Sequence, residues 1–130
     1  MARILVADDE AGIRSFLTDA LALAGHEVIE TSDGLEAIRV LMAEPFDLVI
    51  TDLMMPGADG LAVLRTARSL RPQVQVILLT AQSSRELASQ ARNEGASDFL
   101  AKPLSGPAEL RVAVERVLAC KPPGLVAPGS

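Results

Sequence analysis

Residues 47–70 read DLVITDLMMPGADGLAVLRTARSL. The stretch passes from a short apolar run, 48–51, through the acid Asp52 and a Pro/Gly loop into a segment where Val63, Leu64 and Ala67 recur at helical spacing. A run of that length before turn residues predicts a buried strand, and the segment beyond the loop predicts an amphipathic helix. Asp59 stands where a helix cap is needed, and Pro56 and Gly57 shape the loop before it. The unit repeats on both sides. Further apolar runs at 4–7, 28–29, 76–79 and 99–101 are separated by helical patterns, with Ile13, Phe16, Leu17, Ala20 and Leu21 in one and Ala37, Ile38 and Leu41 in another. The last carries Leu110, Ala113, Val114, Val117 and Leu118 behind Pro107, a first-turn proline. Gly25 and Gly95 each close a helical stretch just ahead of a strand.

Five strands alternating with five helices require crossover connections, and right-handed crossovers give a parallel sheet with helices on both faces. The predicted class is therefore α/β, a doubly wound five-stranded parallel sheet. Residues 26–31 interleave Glu27 and Glu30 with Val28 and Ile29, which marks an edge strand, whereas the first, third and fourth runs are almost wholly apolar and belong in the centre. The helix expected at about 84–94 offers only Leu87, Ala88 and Ala91 to the core and is the weakest anchored. His26, at a turn, is expected at the surface. One domain is expected over residues 1–119. Residues 120–130, CKPPGLVAPGS, hold three Pro and two Gly and are expected to be a linker or a disordered tail, ahead of an effector domain or at the end of a stand-alone chain.

Composition excludes several functions. The chain is 130 residues long, 49% hydrophobic and 2% aromatic, with a net charge of −5. Its twelve basic residues are scattered among seventeen acids, so this domain lacks the basic track for nucleic acid, and aromatic stacking platforms are missing too. One Cys, Cys120, and one His exclude an internal disulfide and a nitrogen or sulfur metal site. The amino terminus has no signal-peptide plan and no apolar run is long enough for a bilayer, so a cytoplasmic location without a membrane partner is expected.

Polar side chains interrupt the apolar plan at the carboxyl ends of four predicted strands: Asp8 and Asp9, Asp52, Thr80, and Lys102. In a parallel sheet these ends share one edge, the edge at which open α/β sheets bind ligands. Each residue alone has a plain structural reading, as a cap, a strand end or a solvated charge, but their convergence points to a site. Clustered carboxylates repel, and a hard divalent cation with oxygen ligands resolves the repulsion; Mg²⁺ is the expected occupant. Lys102 and Thr80 suit phosphoryl oxygens, and Asp52 suits the nucleophile, with Asp8 and Asp9 holding the metal.

The motifs ILVADDE, DLVITDLMMPGADGL, VILLTA and GASDFLAKPL, in that order over roughly residues 2–119, resemble those of response-regulator receiver domains of two-component signalling. The resemblance implies a chemotaxis-regulator-like, flavodoxin-like fold of strand order 2-1-3-4-5. It further implies that Asp8, Asp9, Asp52 and the backbone carbonyl of Met54 bind Mg²⁺, and that Asp52 accepts a phosphoryl group from a sensor histidine kinase or a histidine phosphotransfer protein. Thr80 then corresponds to the switch hydroxyl, Phe99 to the switch aromatic, and Lys102, before a cis Pro103, to the site lysine. Such a chain is a signalling switch acting only on its own phosphoryl group, with an output domain or downstream protein reading the face of helix 4, strand 5 and helix 5. Phe99 has no hydroxyl, so packing is its only signal.

The same residues leave alternatives. A haloacid-dehalogenase-type phosphatase also pairs an Asp nucleophile with Mg²⁺, but it needs Asp-x-Asp at one strand end, where this chain has adjacent Asp8 and Asp9 and places Leu53 after Asp52. A receiver-like interaction module that is never phosphorylated is the other. A phosphorylation-dependent homodimer of the winged-helix regulator type would use an ion-pair scheme that is incomplete here, with Ser97 and Asp98 for the acidic pair and Ala113 at the arginine position. The resemblance to receivers further implies that Met54 and Gln82 flank the path of an attacking water, and the thioether bulk of Met54 is expected to prolong the phosphoryl lifetime.

Overall fold

The computed structural model describes residues 1–81 and 84–119. Strands β1 (Arg3–Ala7), β2 (Glu27–Thr31), β3 (Leu48–Asp52), β4 (Gln75–Thr80) and β5 (Asp98–Ala101) alternate with helices α1 (Ala11–Leu23), α2 (Gly34–Ala43), α3 (Gly60–Leu70), α4 (Arg85–Asn93) and α5 (Pro107–Ala119). All neighbouring strands run parallel, in the order β2-β1-β3-β4-β5. This is the flavodoxin-like doubly wound α/β topology expected from the sequence, with β2 on an edge.

Alternation along the strands divides the core into two layers. Leu5, Ala7, Val49, Val76 and Leu78 face α2, α3 and α4, meeting Ala37, Leu41, Leu61, Leu64, Ala67 and Ala91. Ile4, Val6, Leu48, Ile50, Ile77, Leu79 and Leu100 face α1 and α5, meeting Leu17, Leu21, Leu110, Val114 and Val117. Burial on both faces explains why β1, β3 and β4 read as unbroken apolar runs.

Helix boundaries have local causes. The side chains of Asp33 and Asp59 accept hydrogen bonds from the backbone N–H of Glu36 and Ala62, at 2.8 and 2.9 Å, and so cap α2 and α3. Gly25 and Gly95 adopt φ of 93° and 94° just past α1 and α4, a conformation open to glycine at little cost. α4 buries only Ala91, with Leu87 and Ala88 half-buried. Its carboxyl end is tethered, since Arg65 of α3 forks onto Glu94 at 2.7 and 2.8 Å and the Arg68 guanidinium donates to the carbonyl oxygens of Val74 and Gly95.

His26 departs from expectation. It is half-buried, and its Nδ1 accepts a hydrogen bond from the backbone N–H of Ala2 at 3.0 Å, joining the amino terminus to the turn before β2. The Lys102–Pro103 peptide bond is cis. Among the described residues no helix is long and apolar enough to cross a membrane. Cys120 and the linker or tail expected at 120–130 lie outside the described residues.

Candidate phosphoacceptor site

Because the strands are parallel, the residues ending β1, β3, β4 and β5 come to one edge of the sheet. Asp8 lies just past β1, Asp52 ends β3, Thr80 ends β4, and Lys102 lies just past β5. The β3–α3 loop is held back against this edge by Gly60, whose N–H donates to the Leu53 carbonyl at 2.9 Å. A Cβ at position 60 would stand 2.8 Å from Leu53 Cα and closer still to the Asp52 carbonyl oxygen. Glycine there lets α3 begin directly behind the Asp52 backbone.

Lys102 Nζ is the hub of the cluster. Its ammonium donates to Asp52 Oδ2 at 2.8 Å, Glu10 Oε1 at 3.0 Å and Asp8 Oδ2 at 3.2 Å, which matches its three hydrogens to three carboxylates. Asp8 is fully buried and Asp52 is 5% exposed. Their second oxygens accept backbone N–H groups, Asp8 Oδ1 from Glu10 at 2.8 Å and Asp52 Oδ1 from Met54 at 3.3 Å.

Burial pushes the Asp8 carboxyl above the usual carboxylate value, with the Asp52 charge adding to the effect and the Glu10 N–H and Lys102 opposing it. Burial works against the Lys102 ammonium as well. Its hydrogen bonds to Asp52 and Glu10 and the charges of Asp52 and Asp8 outweigh that, so the side chain is held above the usual lysine range and stays charged.

Asp8, Glu10 and Asp52 bring carboxylate oxygens within 4.8 Å of one another. A set of oxygen donors alone, with no His or Cys, fits a hard divalent cation and can coordinate one. Glu10 was not anticipated. It ends the acidic run Asp8-Asp9-Glu10 and occupies the cap position of α1 without making a side-chain cap bond, so its carboxylate turns to Lys102 instead. That third acid was the only signal in the sequence. Asp9 is exposed and lies outside this trio.

Thr80 is half-buried at the end of β4, and its carbonyl accepts the Lys102 N–H at 2.8 Å. Phe99 is half-buried against the layer under α3 and α4, beneath the guanidinium of Arg92. Met54 is 49% exposed beside Asp52. Gln82 lies outside the described residues. A mainly apolar recess of about 200 Å³, lined by Gly12, Ile13, Phe16, Lys102, Pro103 and Leu104, adjoins the cluster. A larger one of about 280 Å³, lined by Arg3, Phe46 and Arg71 among others, lies at the opposite edge of the sheet.

Residues 4–115 match the response regulator receiver domain family. The chain belongs to that family. Receiver domains act as signalling switches rather than as enzymes turning over a separate substrate. The receiver is 37% identical over 117 residues to the response regulator protein FleR of Pseudomonas aeruginosa, covering 90% of this chain and 25% of that protein. It is 31% identical over 119 residues to sporulation initiation phosphotransferase F of Bacillus subtilis, covering 92% of this chain and 95% of that protein. Among solved structures, a response regulator receiver domain protein from Clostridium thermocellum superposes with a TM-score of 0.84 at 33% identity, covering 92% of this chain and 95% of that one. The receiver spans about a quarter of the length of FleR and of NtrC from Azospirillum brasilense, at 25% and 26%.

Proposed function

We propose that this receiver accepts a phosphoryl group on Asp52 from a histidine kinase or a histidine phosphotransfer protein, in a Mg²⁺-dependent reaction, and passes the change to an output domain or partner. The observation that carries this reading is the Lys102 ammonium shared among Asp52, Asp8 and Glu10 at one sheet edge. Asp8, Asp9, Asp52 and the Met54 carbonyl are the groups that would hold Mg²⁺, with Glu10 beside them. When bound, the ion supplies positive charge that screens the incoming phosphoryl anion from these acids.

In the transfer an Asp52 carboxylate oxygen attacks phosphorus in line, the phosphorus–nitrogen bond of the donor phosphohistidine breaks, and its electron pair leaves with the imidazole. Lys102 moves from carboxylate to phosphoryl oxygen and keeps its charge while doing so. Thr80 donates to another phosphoryl oxygen, and its inward shift opens room for Phe99. The recess beside Lys102 and Pro103 gives an incoming helix an apolar foothold next to Asp52. The output is then read from α4, β5 and α5, as a contact to another domain, a partner or a second copy.

Incubation with acetyl phosphate and Mg²⁺ tests the acceptor. One acid-stable, base-labile phosphoryl group should appear by mass spectrometry on the wild type and none on Asp52→Asn. Uptake by the Asn variant at the wild-type rate would reject Asp52, and no uptake by the wild type would return the chain to an unphosphorylated interaction module.

A further inference from the structure

Phe99 pairs with Leu78 and Ala101 pairs with Thr80 across β4 and β5, so the Phe99 ring and the Thr80 side chain stand on the same face of the sheet, with the Leu79–Leu100 pair between them. That face is covered by the weakly anchored α4. From the last turn of α4, Arg92 lays its guanidinium carbon 4.9 Å from the centre of the Phe99 ring. The neighbouring acids are committed elsewhere, Glu94 to Arg65 and Asp98 to Arg116, and among the described residues Arg92 makes no ion pair. The ring face is thus the partner that holds the Arg92 head group. A ring without a hydroxyl has no hydrogen bond to fix its position, which leaves this stacking as the directional contact on it.

We propose that Arg92 is a positioning residue that holds the Phe99 ring in its resting place and so sets how readily the receiver enters its signalling form. The inference rests on the reading of Phe99 as the switch ring. Movement of the ring toward Thr80 takes it out from under the guanidinium, so the contact favours the resting arrangement only. An exposed cation–ring contact biases such an equilibrium about two- to fivefold. Arg92 therefore opposes activation without touching Asp52, the metal ligands or the phosphoryl group.

The experiment compares the full chain with Arg92→Gln, which keeps a good helix former at an exposed site, and with Arg92→Lys, which keeps the cation. With three Phe and no Tyr or Trp, the ring resonances of Phe99 are readily assigned. Side-chain couplings should show the inner rotamer of Phe99 gaining about two- to fivefold in unphosphorylated Arg92→Gln, and acetyl phosphate uptake should rise by a similar factor. Arg92→Lys should restore most of both. Wild-type rotamer populations in Arg92→Gln would overturn the role of Arg92. Beryllofluoride on the wild type separates the two readings: a Phe99 ring that does not change rotamer rejects the switch itself, whereas a ring that changes there but is indifferent to Arg92→Gln rejects Arg92 alone.

Discussion

Glu10 Oε1 accepts a hydrogen bond from Lys102 Nζ at 3.0 Å, across 92 residues of chain. The glutamate side chain is 61% exposed while the lysine is nearly covered, so a surface acid reaches in to share the ammonium that Asp8 and Asp52 also use. Glu10 thereby joins the electrostatics of the site from its rim.

An exposed carboxylate about 4 Å from a cation contributes ~1 kcal/mol per unit charge in water. Glu10→Gln should therefore weaken Mg²⁺ binding about fivefold or more. Calorimetric titration is the suitable measurement, because the chain has no Trp or Tyr to report binding by fluorescence. An affinity equal to the wild type would remove Glu10 from the metal's surroundings.

Asp8 sets the stability of the site against its use. Burial holds its carboxyl above the ordinary value of 3.8, so the folded chain binds that proton more tightly than the unfolded chain does. The stability this group contributes is complete below the ordinary value and is lost as pH rises through the raised one. At neutral pH, Asp8→Asn should raise the melting temperature by a few degrees without Mg²⁺ and gain less than the wild type when Mg²⁺ is added. A variant that melts below the wild type at pH 7 would contradict this.

Two glycines should respond in opposite ways to alanine. A Cβ at Gly60 meets backbone at 2.8 Å, where nothing flexible can give way, whereas one at Gly12 meets nothing within 4 Å. Gly60→Ala should cost about 1–3 kcal/mol in urea unfolding and slow Asp52 phosphorylation, since the strain falls on the Asp52–Leu53 backbone. Gly12→Ala, inside α1, should add about 0.5–1 kcal/mol.

Met54 bears on the lifetime of the phosphoryl group. Its backbone N–H donates to Asp52 Oδ1 and its side chain is half exposed beside that carboxylate, and the blocking role we propose has the thioether obstructing in-line attack by water. Replacement by Asn removes bulk and adds an amide that can orient water, so Met54→Asn should lose phosphate severalfold faster in a dephosphorylation time course. An equal or slower loss would reject the blocking role.

Most of the fold was legible because β1, β3 and β4 are covered on both faces and must read as apolar runs, and each observed strand lies within one residue of such a run except β2, whose mixed pattern reflects its edge position. The strand-end residues Asp8, Asp52, Thr80 and Lys102 were legible because a polar side chain at the end of a buried run needs a reason. Glu10 was not, since a loop residue has no period to betray its direction, and only the structure shows that it turns to Lys102 while Asp9 faces solvent. His26 and Arg68 were missed for a related reason. Each is a polar residue tucked against backbone groups of distant segments, Ala2 for one and Val74 and Gly95 for the other, and local sequence does not encode such partners.

The sparse anchoring of α4 bears on how such a chain can change its allegiance. Arg85, Glu86, Ser89, Gln90 and Asn93 are all exposed and contribute nothing to the core. On the proposed function, substitutions among them should change what the helix presents to a partner while the strand-end chemistry, carried by a separate part of the sheet, stays unchanged. A library confined to these five positions would therefore be the economical route to a receiver that listens to the same donor and speaks to a different partner.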